Sequence, residues 1–333
     1  MANLRDLRKR IRSVKNTQKI TRAMKMVAAS KLRRAQNAII EARPYAIRME
    51  EVLRDIVSRA DVAGHPLLRV RVPKRVELVV MSSDRGLCGS FNSNIIRTAD
   101  RWLRENQSRH ELIQVSTIGR KVRDHFRRKG IRLTSEYDGI LERLDYKSAG
   151  DVAFDLAERF RRGELDAIYL LYNEFKSAIS QNVVLKQLLP IHPIEEEWEQ
   201  LARVRVGELA SVSKDVRAVA GRGADTHLDE SPDWEISEEI HIGTDGYEHV
   251  FEPSRDAVLD ALLPQHLAVQ VWRALLESTA AEHGARMTAM DAATRNASEL
   301  NQKLTLEANR LRQAGITTEL MEIVTGAESL KAG

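Results

Sequence analysis

The amino-acid sequence predicts an α/β protein with long terminal helices, in which an antiparallel two-helix coiled coil carries a central Rossmann-like α/β domain. Three observations lead to this prediction. Apolar residues recur at steps of three and four through both ends of the chain, β-rich apolar runs alternate with helical patterns in the middle, and aromatic residues make up only 5% of the 333 residues. The predicted segments are an N-terminal coiled-coil helix, a central α/β domain, an acidic insertion and a C-terminal coiled-coil helix, at 1–60, 74–192, 195–250 and 255–326.

The N-terminal helix begins with the seam of a coiled coil. Its apolar residues step by three and four from Leu4 to Val14. Further along, the same seam positions become polar, and between about 16 and 27 the apolar stripe follows a displaced phase at Ile20, Met24 and Val27. We therefore expect the seam to shift there, where the helix meets another surface.

The C-terminal helix matches the first in length. It runs from about 255 to 326, with Pro264 near an early turn or a break and a seam from Val269 to Leu304. At 1.5 Å per residue the first helix reaches roughly 85 Å and residues 268–326 of the second reach roughly 85–90 Å, although Pro44 is expected to kink the first. Two helices of equal reach at opposite ends of one chain indicate an antiparallel pair.

The middle of the chain alternates strand and helix patterns. Apolar β-rich runs lie at 76–81, 112–118, 167–172 and 183–189. Helical patterns between them lie at about 93–106, 119–129 and 148–163. This alternation predicts a sheet with parallel strands, which ends at the turn-rich segment 189–193.

Charge is strongly segregated along the chain. Residues 1–36 hold twelve Lys and Arg against one acid, a net charge of +11, whereas residues 195–252 hold sixteen Asp and Glu against five basic residues, a net charge of −11. The basic helix suits nucleic acid, anionic lipid or an acidic protein surface, and a merely solvated helix face is the plain alternative. Nucleic acid is disfavoured because no aromatic residue for base stacking precedes Tyr45.

Several classes of protein are excluded or disfavoured by composition. No apolar run is long enough to span a bilayer, and the amino terminus lacks a secretion signal, so a cytoplasmic protein is expected. The single cysteine, Cys88, excludes an internal disulfide and a CxxC site. The nine histidines show no metal-ligand spacing, so no metal is expected.

The most motif-like stretch is SSDRGLCGSFN at 82–92, which follows a strand and precedes a helix. A phosphate-binding loop usually lies there, but GxGxxG and GxxxxGK[ST] are both missing. We expect Gly86 and Gly89 to permit a tight turn and Asn92 to cap the next helix. Cys88 has no histidine near it in sequence, which favours a small buried residue over a nucleophile.

Three long stretches resemble one known family. The sequences IRSVKNTQKITRAMKMVAASKLRRAQ, SSDRGLCGSFNSN and ARMTAMDAATRNASEL followed by NRLRQAGITTELMEIVTGA resemble the gamma subunit of F-type ATP synthases, in the family's order. The resemblance implies a rotor whose helices turn inside a ring of three alpha and three beta subunits. It further implies a foot that contacts the epsilon subunit and the c-subunit ring, without direct membrane insertion.

The resemblance also implies where function resides. It implies proton-driven torque delivered to nucleotide sites on other chains, at the cytoplasmic face of the bacterial inner membrane. No catalytic residue, cofactor or nucleic-acid partner is implied for this chain. The residues matched to rotor–stator contact or coupling are Met24, Lys25, Arg286, Arg312, Gln313 and Thr317, and those matched to the family's motif loop are Asp84, Arg85, Gly86, Cys88 and Gly89.

Alternatives stay open for single residues and for the insertion. Met24 can simply pack against the other helix. The segment 195–250 makes this chain longer than a typical bacterial member of the family, and it contains no cysteine for a thiol switch. We expect either a flap that biases rotation or restrains ATP hydrolysis, or a tolerated surface loop. An α/β enzyme and a nucleic-acid-binding coiled coil both leave the two terminal helices and the three stretches unexplained.

Overall fold

The computed structural model describes residues 4–59, 65–178, 180–191, 252 and 254–331. Its helices and strands are α1 (Leu4–Arg59), β1 (Arg75–Met81), α2 (Phe91–Asn106), β2 (Leu112–Ile118), α3 (Arg120–Arg128), β3 (Glu136–Tyr137), α4 (Tyr146–Arg161), β4 (Ala167–Phe175), β5 (Gln181–Leu189) and α5 (Arg255–Lys331). The predicted fold class is confirmed. The predicted acidic insertion lies outside the described residues. None of the described helices has the length and apolarity that a membrane span requires.

The two terminal helices pack side by side in opposite directions and form the part we call the shaft. Near the start of α1, Leu7 packs against Leu304 and Ala308 in the C-terminal half of α5. Further along, Leu32 is fully buried in a cluster with Ala280. The antiparallel coiled coil predicted from the sequence is therefore present.

The expected shift of the seam between 16 and 27 is wrong, because the polar seam residues stay between the helices. The hydroxyl oxygens of Thr21 and Thr294 lie 2.7 Å apart. Lys25 Nζ lies 2.7 Å from Asp291 Oδ1. Thr21 and Lys25 of α1 thus each meet a polar partner on α5, which removes the cost of leaving these polar groups buried alone. Of the displaced apolar residues, Ile20 and Val27 face outward and Met24 is half-buried.

Neither proline ends its helix. Pro44 lies within α1, which runs unbroken from Leu4 to Arg59. Pro264 lies in the third turn of α5, so a helix break at that position is wrong. Both terminal helices are consequently continuous, and α5 spans roughly 115 Å at the usual rise per residue.

The central sheet has the strand order β3-β2-β1-β4-β5. Parallel pairing joins β1 to β2 and β4 and joins β2 to β3, whereas β5 pairs antiparallel with β4. The four predicted strands are confirmed with small changes in their ends. The short β3 is additional, because two residues are too few for an apolar period.

The sheet is covered on both faces. Leu78 and Val80 point toward α2 and α3 and pack with Ile95 and Phe126. On the other face the cluster includes Val79 of β1 and residues of α4, and α5 contributes Leu267, Val271 and Leu275. The shaft is therefore part of the core of the α/β domain rather than an appendage to it.

A buried ion pair fastens α4 to β1. Glu77 is fully buried, and its Oε2 lies 2.8 Å from Arg159 Nη1. The hydroxyl of Ser116 donates to Glu77 at 2.5 Å. Burial raises the pKa of the Glu77 carboxyl, whereas the Arg159 charge opposes that rise.

Candidate functional site

The motif loop, residues 82–92, holds the first turn of α3. Asp84 Oδ1 accepts a hydrogen bond from the Arg120 amide at 3.0 Å, and the Ser83 carbonyl accepts one from the Lys121 amide at 3.2 Å. Ser82 Oγ accepts from the Val122 amide at 2.9 Å. Three successive amides at a helix start, which have no partner within the helix, are thereby satisfied. This explains Asp84 as a capping residue.

Inside the motif loop, Asn92 has a different role from the one expected. The residue before α2 is Ser90, and Asn92 lies within the helix, so its predicted role as the cap is wrong. Its Oδ1 instead accepts from the Ser83 amide at 3.0 Å, and its Nδ2 lies 3.1 Å from Cys88 Sγ. Asn92 therefore closes the loop on itself.

Cys88 is buried, as the sequence predicts. Burial raises the pKa of its thiol, which keeps the sulfur protonated and unreactive near neutral pH. It packs in a small cluster with Phe91 and with Ala281 and Ala285 of α5. The thiol serves as an apolar contact between the loop and the shaft.

The two glycines of the motif loop both approach α5, but they differ in conformation. Gly89 has φ +57°, and a side chain there would begin 3.8 Å from the Cβ of Ala289. Gly86 has no positive φ, and the left-handed position beside it belongs to Leu87 at φ 63°. Of the two glycines in the predicted turn, only Gly89 has a backbone conformation that favours glycine. The Gly86 carbonyl oxygen accepts a hydrogen bond from Arg286 at 3.3 Å.

On the shaft side, Arg286 is the centre of a charged cluster. Its Nη2 lies 2.6 Å from Glu282 Oε1, and its Nη1 lies 3.1 Å from His283 Nδ1. Burial raises the pKa of Glu282, and burial together with the charges of Arg286 and Lys31 lowers the pKa of His283 to about 4. A neutral imidazole can accept the hydrogen bond that Arg286 offers.

The buried histidine gives the first testable prediction. His283 takes up a proton near pH 6.5 in the unfolded chain but only near pH 4 in the folded chain. The unfolded chain therefore binds more protons between these values, and the free energy of unfolding falls as the pH drops through that window. We expect a loss of about 1–2 kcal/mol from pH 7 to pH 5 that His283→Gln removes. Urea unfolding at both pH values measures it.

The control for that prediction is His110→Gln, a substitution at a histidine in the α/β domain that contacts the Pro73 carbonyl. It should keep the pH dependence of the unmodified chain. Equal slopes of stability against pH in the unmodified chain and in His283→Gln would contradict the prediction.

The six residues that the resemblance matches to rotor–stator contact or coupling lie in three separate regions of the structure. Met24 is half-buried on α1, and Lys25 is ion-paired within the shaft. Arg286 lies at the motif loop, not on a free face of the shaft. The other three are exposed near the end of α5, and they are Arg312, Gln313 and Thr317. These six residues therefore do not form one site.

Two exposed apolar surfaces were not predicted as such. On α1, Ile20 and Val27 are 59% and 57% exposed within the basic segment. The end of α5 extends past Leu311, which packs against the start of α1, and exposes apolar side chains at Ile316, Leu320, Met321, Ile323 and Val324. The sequence signal that could have revealed these two surfaces is the presence of apolar residues outside the heptad seam. Within the described residues no cluster of three metal-ligand side chains occurs.

Solved structures share this architecture. A rotor chain of the Euglena gracilis mitochondrial ATP synthase matches with a TM-score of 0.56 at 19% identity, over 94% of this chain and 98% of the other. The Tetrahymena thermophila mitochondrial ATP synthase, central stalk and c-ring, contains a chain that matches with a TM-score of 0.54 at 25% identity, over 82% of this chain and 99% of that one. A shaft continuous with an α/β domain is thus the fold of ATP synthase central stalks.

Sequence comparison identifies the family. The family model described as ATP synthase matches residues 3–330. The ATP synthase gamma chain of Anaeromyxobacter sp. (strain Fw109-5) is 48% identical over 334 residues, and that of Geobacter metallireducens is 44% identical over 331, each across 99% of this chain and 100% of the relative. The chain belongs to the family of ATP synthase gamma chains.

Proposed function

We propose that this gamma-family chain transmits torque, as the central stalk, between a membrane c-subunit ring and a catalytic ring of three alpha and three beta subunits. One observation carries this proposal. The helix α5 is continuous from the core of the α/β domain, where Leu267 and Val271 are buried, to the far end of the shaft, where Leu304 meets Leu7. A turning force on the domain therefore reaches the far end through unbroken helix.

The chain itself is proposed to be non-catalytic. Asp84 and Cys88, the motif-loop residues with reactive side chains, are engaged in capping a helix and in packing. Nucleotide chemistry would then belong to the other subunits of the complex. The chain's contribution is mechanical and regulatory.

We assign two rotor–stator contacts. On α1 the exposed Ile20 and Val27, with Met24 beside them, lie in a segment of net charge +11 and suit an acidic, partly apolar surface of the beta subunits. Toward the end of α5 the exposed Arg312, Gln313 and Thr317 lie among apolar side chains and suit contact with the ring of alpha and beta subunits that would surround the end of this helix. Lys25 and Arg286 are not assigned to these contacts. Lys25 holds the two helices of the shaft together, and Arg286 joins the shaft to the motif loop.

The α/β domain is proposed to bind the epsilon subunit and the c-ring. The chain would then be a peripheral protein at the cytoplasmic face of the bacterial inner membrane.

The acidic segment 195–250 is proposed as a flap that restrains ATP hydrolysis. Deleting 199–240 should raise the ratio of hydrolysis to synthesis in the assembled complex, and an unchanged ratio would leave only a surface loop.

Reconstitution tests the function directly. The purified chain, mixed with alpha and beta subunits, should migrate as a complex with one copy per ring and raise multi-site ATPase activity. The double substitution Ile20→Asp and Val27→Asp should weaken that activation, whereas Asn37→Asp, a change at another exposed position of α1, should not. Failure to associate under conditions that assemble a known gamma chain would refute the proposal.

A further inference from the structure

A cleft outside the motif loop lies between the second half of α1, the first residue of α4 and the first third of α5. Its volume is about 210 Å³. The walls are mainly apolar and aromatic, with Ile39, Val269 and Leu276 inside and Tyr45 and Tyr146 exposed at the rim. Concave sites with such walls and a few polar groups are typical of small-molecule binding.

Aromatic rings define one wall of this cleft. Tyr146 and Trp272 meet edge to face, with ring centroids 6.2 Å apart. Both rings line the cleft. A flat ring of a ligand could continue this packing, since offset and edge-on ring pairs are favourable.

Arg43 supplies a positive charge with no acceptor. It lines the cleft and is half-buried, and within the described part of the chain its guanidinium makes no hydrogen bond or ion pair. The other half-buried arginines of that part each have an acceptor, and they are Arg71, Arg75, Arg123, Arg159, Arg273 and Arg286. Burial and the neighbouring Arg273 lower the pKa of Arg43, and the Glu277 carboxylate offsets this lowering only in part.

The other charged groups of the cleft indicate which kind of anion could bind Arg43. Glu277 Oε1 is paired with Arg273 Nε at 2.8 Å, whereas Glu277 Oε2 is buried without a hydrogen-bond partner among the described residues, so the carboxylate is compensated only in part. Glu50 and His266 are buried in the walls. A doubly charged phosphate would be repelled by Glu277 more strongly than a carboxylate of single charge. Arginine binds a carboxylate with two parallel hydrogen bonds.

We infer that this cleft binds a small aromatic carboxylate, with its carboxylate on Arg43 and its ring against Trp272 and Tyr146. The same carboxylate chemistry could be presented by a side chain of another subunit. The free small molecule is the source to which we commit, because the cleft is a concave pocket within one chain and has room for a single ring with a short tail.

Calorimetric titration of the full-length chain tests this inference. The probe is 3-phenylpropionate, and its neutral and cationic analogues are 3-phenylpropan-1-ol and 3-phenylpropylamine. The carboxylate should bind saturably and at least tenfold more tightly than either analogue. Arg43→Gln should remove that advantage, whereas Arg48→Gln, at an exposed arginine paired with Glu51, should retain it.

A second variant guards against an indirect effect of Arg43→Gln on folding. Ala42 lines the cleft, and Ala42→Leu should weaken the carboxylate and the alcohol alike by filling it. Absence of saturable binding, equal binding of the three probes, or binding unaffected by Arg43→Gln would each overturn the proposal. Loss of probe binding in the assembled complex would also overturn it, because the cleft would then be filled by another subunit.

Discussion

Gly119→Ala should be among the most damaging single substitutions in this chain, with a loss of about 3–5 kcal/mol in the free energy of unfolding. Gly119 joins β2 to α3 at φ +94° and ψ 145°, a conformation that side chains rarely adopt. A Cβ there would lie 2.1 Å from the Ser82 carbonyl oxygen, which belongs to the backbone and cannot rotate aside. Relief would require the motif loop and α3 to separate.

Urea unfolding followed by tryptophan fluorescence measures this loss. Trp102 packs against Tyr169 in the α/β domain and reports on its core. The matched control is Gly130→Ala at the other end of α3, where φ is +72° but a Cβ would meet nothing within 4 Å. Strain alone should cost that control about 1–2 kcal/mol. Equal losses in the two variants would show that the contact with Ser82 is unimportant.

Regular patterns explain why the elements themselves could be predicted. The strands β1, β2, β4 and β5 are apolar runs bounded by turn residues, and the terminal helices carry a seam over many heptads. The edge strand β3 has only two residues. It pairs with β2 in parallel, and nothing in its own two residues marks it as a strand.

The polar part of the shaft shows the limit of reading one helix by its own pattern. A seam that turns from Val14 to Thr21 and Lys25 suggests a change of phase when α1 is considered alone. The decisive residues are Thr294 and Asp291, which lie on α5 and satisfy those polar groups. Burial of a polar residue depends on its partner, so the sequence pattern of one helix could not decide it.

The position of the motif loop was predicted from the sequence, but its contacts with distant residues were not predicted. A turn between a strand and a helix follows from local residues, and the burial of Cys88 was predicted correctly. The bonds from Asp84 to Arg120 and from Gly86 to Arg286 link positions far apart in the chain. Such pairs leave no period or spacing in a single sequence. The resemblance implies a coupling role for Arg286, which stays a prediction, and the structure shows that its guanidinium contacts the loop.

Gly284→Leu should weaken the attachment of the α/β domain to the shaft, with a loss of about 2–3 kcal/mol in the free energy of unfolding. A Cβ at Gly284 would lie 3.2 Å from the Ala178 carbonyl oxygen and 3.4 Å from the Phe175 ring. One turn further along α5, the Thr288 hydroxyl donates to the same carbonyl at 3.1 Å. A larger side chain would push the connection between β4 and β5 away from α5 and break this bond.

Function should change with that contact. In membranes that carry the complete complex, Gly284→Leu should at least halve the ratio of ATP-driven proton pumping to ATP hydrolysis, because the domain would yield before the shaft turns it. The control is Gly150→Leu in α4, where a Cβ would meet nothing within 4 Å. It should keep the normal ratio. If both variants pump normally while Gly284→Leu is destabilised, the contact serves stability alone and torque passes through Leu267, Val271 and the rest of the shared core.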